Sequence, residues 1–166
     1  MNQEKAFRRA SFLQLVLVAL VQVAVNLYVS FTGYISYYLT GIVGFSVILA
    51  GSFVTIFRIW DAVTDVGMGT IVDKTNSRFG KFRPYMIAGG IATPIIAQIM
   101  IRVTPLVAEG TPRKAFFIII YMLFVIATTM QACASRACAQ MLTDDPKQRV
   151  TYGTIVGILV ASLYSI

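Results

Sequence analysis

The chain has 166 residues, 57% of them hydrophobic and only 13% charged, with a formal net charge of +7 and a mean hydropathy of +0.76. This is too apolar for a soluble domain of its length, and it reads as an all-α polytopic membrane helix bundle whose first partner is the lipid bilayer. No basic tract carries interleaved aromatics, which sets nucleic acid aside. The absence of histidine, of a nucleophile elbow and of a phosphate-binding loop argues against an enzyme.

Met1 to Ala10 is polar and basic, and the apolar run from Ser11 is too long for a signal peptide and lacks a small-residue cleavage site. It reads as a retained first membrane helix. A hydrocarbon core of about 30 Å needs roughly 20 helical residues, and the apolar runs predict about five such helices, near 12–39, 45–72, 84–105, 115–141 and 150–166. The breaks fall at Gly41 to Gly44, Thr75 to Pro84, Pro105 to Pro112 and Thr143 to Pro146. Continuous apolar runs of this length do not match the short alternating strands of a membrane barrel. The fifth segment ends at Ile166 without a flanking charge, so the chain reads as the amino-terminal portion of something larger.

Basic residues set the expected orientation. Lys5, Arg8, Arg9, Lys74, Arg78, Lys81, Arg83, Lys147 and Arg149 fall on one side and only Arg113 and Lys114 on the other, which places the amino terminus in the cytoplasm; the membrane is expected to be the plasma (inner) membrane. Arg58, Arg102 and Arg136 remain within helices, Arg102 close enough to a helix end to snorkel. Cys133 and Cys138 have neither CxxC spacing nor histidine nearby, and read as buried small hydrophobes rather than metal or disulfide partners.

The second apolar segment carries the chemistry. Arg58, Asp61 and Asp65 stand at i, i+3 and i+7, on one stripe of a helix. Ionisable groups inside a membrane segment are a functional site by default. Arg58 is the charge partner of Asp61, yet one guanidinium cannot neutralise two carboxylates. Two carboxylates in a poorly hydrated site require a cation or a proton between them. Gly67 and Gly69, with Gly89 and Gly90 on the next helix, suit close helix packing.

The run from Phe57-Arg-Ile-Trp-Asp61-Ala-Val-Thr-Asp65 through Asp73 to Arg78-Phe-Gly-Lys-Phe-Arg-Pro84 resembles the glycoside-pentoside-hexuronide:cation symporters, the melibiose permease family of the major facilitator superfamily. Tyr37-Tyr38, Thr40 and Gly44, and Met141-Leu-Thr-Asp-Asp-Pro-Lys-Gln-Arg149, fit the same family. The resemblance implies two six-helix halves with alternating access between them. Residues 1–166 would then be a partial amino-terminal bundle, completed by a carboxy-terminal half in cis or as a separate chain.

It also implies secondary active transport of a sugar or sugar acid coupled to Na⁺, Li⁺ or H⁺. The coupling ion would lie at Asp61 and Asp65, with the Thr64 hydroxyl as an additional ligand and no other metal or cofactor. Hard oxygen ligands suit those ions. Asp73, Arg78, Gly80, Lys81 and Arg83, joined by Arg149, match the cytoplasmic gating loop of major facilitators.

The chain departs from the family at the sugar positions. The first-helix acid falls at Val25 or Asn26, the fourth-helix acid at Ala132, and an aromatic stacking position at Arg136. Asn26, Gln131 and Arg136 are therefore the substrate-lining candidates. Arg136 would either favour a carboxylated or otherwise anionic ligand or pair with Asp61 or Asp65 in place of the cation. The alternative to a symporter is a truncated or decayed non-transporting membrane protein, or one chain of a split transporter.

Overall fold

A computed structural model of the chain describes residues 10–75, 82–143 and 145–165. The elements are α1 (Phe12–Gly33), α2 (Ile35–Tyr38), a single π turn (Leu39–Val43), α3 (Val47–Lys74), α4 (Arg83–Val103), a 3₁₀ turn (Thr104–Leu106), α5 (Thr111–Leu142) and α6 (Pro146–Tyr164), with no strand among the described residues. The five expected segments are thus all helical. Local chemistry sets their ends. Ser46 accepts from the Leu49 N–H at 3.5 Å to start α3, and Asp145 accepts from the Lys147 N–H at 3.0 Å to start α6. Pro84, Pro112 and Pro146 occupy first turns, where no amide hydrogen is needed.

The first expected helix, 12–39, is broken. Tyr34 leaves helical geometry with φ −89° and ψ 0°, and the chain then winds through α2 into the π turn, which Gly44 ends at φ +80°. That left-handed conformation suits glycine because it has no Cβ.

Among the described residues, four helices are long and apolar enough to cross a membrane: Phe12–Gly33, Val47–Lys74, Arg83–Leu106 and Thr111–Met141. This is one fewer than the five spans expected. α6 forms where the fifth was expected, but Lys147, Gln148, Arg149 and Thr151 make its first turns too polar to join the set.

α5 is the central helix. Its Phe117, Tyr121, Phe124, Val125, Ala127, Ala132 and Ala134 are all buried. Phe124 meets the Tyr28 and Phe31 rings of α1 edge-on, each at 6.1 Å. Tyr121 meets Phe57 of α3 at 4.3 Å, and Phe117 stacks on Tyr38 of α2 at 5.5 Å. α4 packs closest at Gly89, where a Cβ would lie 2.7 Å from that of Gln131. The expected role of Gly67 and Gly69 has no counterpart among the described residues: nothing lies within 4 Å of a Cβ at either.

α6 packs on the far side of α1, where Ser30 donates to the Tyr164 hydroxyl at 2.6 Å and Gln148 exchanges two hydrogen bonds with the Ala10 backbone at 2.9 and 3.1 Å. Large apolar side chains such as Leu13, Val66 and Ile91 stay more than half exposed. Around a helix bundle of this composition they face lipid or further helices rather than water.

At the end of the bundle where α3 and α5 begin, Arg113 closes the structure. Its guanidinium donates to the carbonyls of Ile42, Pro105 and Val107 at 3.2, 3.1 and 3.0 Å and pairs with Glu109 at 3.5 Å. One planar fork thereby joins two connections.

Candidate functional site

α1, α3 and α5 converge on a cavity of about 80 Å³. Val29 and Thr32 of α1, Val54, Phe57, Arg58 and Asp61 of α3, and Tyr121, Phe124, Val125 and Thr128 of α5 line it, with Ile35 just past the break in the first helix. Its walls are mostly aromatic and aliphatic, and Arg58 and Asp61 supply its charge.

The stripe read from the sequence exists. Asp61 and Asp65 are both half-buried on successive turns of α3, about 6 Å apart along the axis. α5 answers them in register. Thr129 donates to Asp61 Oδ1 at 3.5 Å, and one turn on the Cys133 thiol lies 3.9 Å from Asp65 Oδ1 and 4.0 Å from the Asp65 carbonyl oxygen. Among the described residues no guanidinium comes within 4.0 Å of either carboxylate. Arg58 thus shares the cavity with Asp61 without closing a contact ion pair, and its side chain remains exposed. Arg136 of α5 is also exposed.

The remaining candidates separate. The Thr64 hydroxyl donates back to the Asp61 carbonyl at 2.9 Å, so only its lone pairs face outward for a ligand. Asn26 is absent from the cavity wall and donates to the Gln22 carbonyl at 2.8 Å within its own helix. Gln131 is buried in the α4–α5 seam against Gly89, its Oε1 without a hydrogen-bond partner. Both fall outside the cavity because α1 and α5 turn those faces toward neighbouring helices.

At the other end of the bundle, Arg78, Gly80 and Lys81 lie outside the described residues, as does Asp144. Asp73 and Arg83 stand at the helix ends on either side of that gap, where the hydroxyls of Thr75 and Tyr85 bond each other. Arg149 caps the end of α5 by donating to the carbonyls of Thr143 at 3.0 Å and Gln140 at 3.4 Å.

Thr129, Thr128, Thr32 and Tyr121 were not singled out by the sequence reading, and Cys133 was not read as part of the site. The signal for Thr129 and Cys133 was their i, i+4 spacing, which matches that of Asp61 and Asp65. The expectation that Cys133 and Cys138 are buried hydrophobes is corrected: both thiols are free and half-buried, and Cys133 touches a carboxylate.

An all-α bundle with four described helices apolar enough to span a bilayer, three of them around a charged cavity, has the architecture of a polytopic membrane protein. A family model described as MFS/sugar transport protein matches residues 15–162, and the chain belongs to that family.

It is 42% identical over 71 residues to an uncharacterized symporter, YnaJ, of Bacillus subtilis, covering 43% of this chain and 15% of that one. It is 30% identical over 115 residues to the putative glycoside/cation symporter YagG of Escherichia coli, covering 69% and 25%. To the glucuronide carrier protein homolog of Escherichia coli it is 28% identical over 124 residues, covering 75% and 27%. The chain thus spans between 15 and 27% of the length of these curated relatives. No solved structure matches it.

Proposed function

We propose that this chain is the ion-coupling, amino-terminal portion of a sugar:cation symporter, a partial six-helix bundle in the plasma (inner) membrane with its amino terminus in the cytoplasm. Asp61 and Asp65 would hold the coupling ion, Na⁺, Li⁺ or H⁺. The observation that carries this reading is the pairing of the two carboxylates, on successive turns of α3, with neutral groups of α5 and with no arginine at contact distance. Carboxylate and hydroxyl oxygens at Asp61 and Thr129 suit a hard monovalent ion. Of these groups Asp61 alone lines the cavity, which leaves room beside it for such an ion with a few waters, while Asp65, Thr64 and Thr129 lie outside its wall.

Support for a sugar or sugar acid as substrate comes from the family match and from relatives named as glycoside/cation symporter and glucuronide carrier. A carboxy-terminal half, in cis or as a separate chain, would complete the cavity. The test is uptake by the full-length protein in vesicles under imposed Na⁺, Li⁺ or proton gradients. Asp61→Asn and Asp65→Asn should each abolish gradient-driven uptake while leaving the protein in the membrane, and uptake that still follows the gradient in both would sink the assignment.

A second reading rests on Arg136, an exposed guanidinium on the helix whose Thr129 and Cys133 meet Asp61 and Asp65. If it stands in for the cation, uptake by the native protein ignores every imposed ion gradient, and Arg136→Gln makes it ion-dependent.

A further inference from the structure

The cavity lies entirely to one side of the paired aspartates. Asp61, midway along α3, is the deepest cavity residue of that helix, and Thr128 is the deepest of α5. The other lining residues of both helices precede them in sequence, toward the end of the bundle where α3 and α5 begin. α1 contributes Val29, Thr32 and, past its break, Ile35 toward the same end. From Asp61 to Val54 the cavity follows α3 for about 10 Å. Asp65 and Cys133 stand one turn beyond Asp61 and Thr129 in the opposite direction, outside the wall.

The polar groups of the wall are mostly acceptors. The Thr32 hydroxyl donates to the Val29 carbonyl at 2.6 Å, and the Thr128 hydroxyl donates to the Phe124 carbonyl at 2.8 Å. A hydroxyl has one hydrogen, so both threonines have only lone pairs left to offer, and an ionised Asp61 accepts only. α1, α3 and α5 thus each bring an oxygen suited to a hard cation. Arg58 is the one cation among the lining residues, exposed and without a contact ion pair to Asp61. Its charge lowers the affinity of the cavity for a second cation, which suits passage rather than storage.

We propose that this cavity is the outer entry station of the coupling cation, where a hydrated alkali ion rests on Thr32, Thr128 and Asp61 before it reaches Asp65. The station rests on the coupling reading and the orientation proposed above, and adds two ligands and an order of contact to them.

Full-length protein with its native cysteines replaced by serine would carry Thr128→Cys, or Thr32→Cys as an independent probe on α1, in sealed vesicles. The small impermeant cation methanethiosulfonate-ethyltrimethylammonium should label either position faster from the outer face than from the inner, and faster than the anionic ethylsulfonate reagent does. Na⁺ or Li⁺ in place of choline should slow that labelling about fivefold. The protection should vanish in Asp61→Asn and persist in Asp65→Asn. Protection that survives Asp61→Asn, or that requires Asp65, would overturn the order of contact. Equal labelling from both faces or by both reagents, or no protection by either ion, would overturn the station. Where that happens while Asp61→Asn and Asp65→Asn still abolish gradient-driven uptake, the coupling reading stands and the station alone falls. Native uptake that ignores every gradient removes the coupling reading, and the station with it.

Discussion

Replacing Gly89 by alanine tests whether the α4–α5 seam is as close as described and whether it positions the site. A Cβ at Gly89 would lie 2.7 Å from Gln131 Cβ and 3.0 Å from both the Ala127 carbonyl oxygen and the Gln131 amide nitrogen. Carbon pairs settle at about 3.5–4.0 Å, so the two helices must part by about 1 Å there. Two of the three contacts are backbone atoms, which no rotamer change can move aside. Overpacking of this kind costs about 1–3 kcal/mol, offset by a helix-propensity gain of up to about 1 kcal/mol, for a net loss of about 1–2 kcal/mol.

Gly90→Ala is the control, because its Cβ would meet only Gln131 Nε2 at 3.7 Å, an ordinary contact. The assay is thermal unfolding of the full-length protein in detergent, read beside gradient-driven uptake. Displacing α5 should also loosen the Thr129–Asp61 and Cys133–Asp65 contacts and weaken ion dependence in Gly89→Ala. Gly89→Ala that unfolds with the native protein, or no earlier than Gly90→Ala, would refute the argument.

Three further outcomes follow from the contacts described. Arg113→Ala should cost about 2–4 kcal/mol by leaving loop carbonyls without their charged donor, and Arg113→Lys should not restore it in the same unfolding assay because one ammonium cannot bridge the two connections. In a Cys138→Ser background, maleimide labelling of Cys133 should slow when the coupling ion is added, and that protection should vanish in Asp65→Asn; labelling indifferent to every ion would remove Asp65 from the ion site. Tyr38→Phe, which keeps the stack on Phe117 but loses the bond to the Met100 carbonyl at 3.0 Å, should cost about 1 kcal/mol in thermal unfolding.

The helices were legible because the bilayer requires long apolar runs, and prolines and glycines punctuate them. The α1 break at Tyr34 was not, since Gly33-Tyr34-Ile35 carries no proline and the π turn depends on Tyr38 reaching α4. The stripe of Arg58, Asp61 and Asp65 followed from helical periodicity alone. Its partners did not, because which face of α5 meets α3 is set by packing of Phe57 on Tyr121, which is far along the chain from the aspartates. Gln131 shows the converse: a polar residue in an apolar helix suggested a substrate contact, yet the missing side chain at Gly89 draws it into a helix seam.

The arrangement of charge in the site favours an exchangeable cation over a permanent internal pair. Arg58 lines one cavity with Asp61, and Arg136 lies on α5 one turn past Cys133, which meets Asp65. A site built to neutralise itself would bring guanidinium and carboxylate into bidentate contact, since only close geometry repays desolvation. Here the groups nearest the carboxylates are a hydroxyl and a thiol, and both arginine side chains remain exposed. Such arginines moderate the local field without occupying the carboxylate oxygens. On the reading proposed above, the two aspartates would keep open ligand positions for a mobile ion or a proton, which is what coupling would require of them.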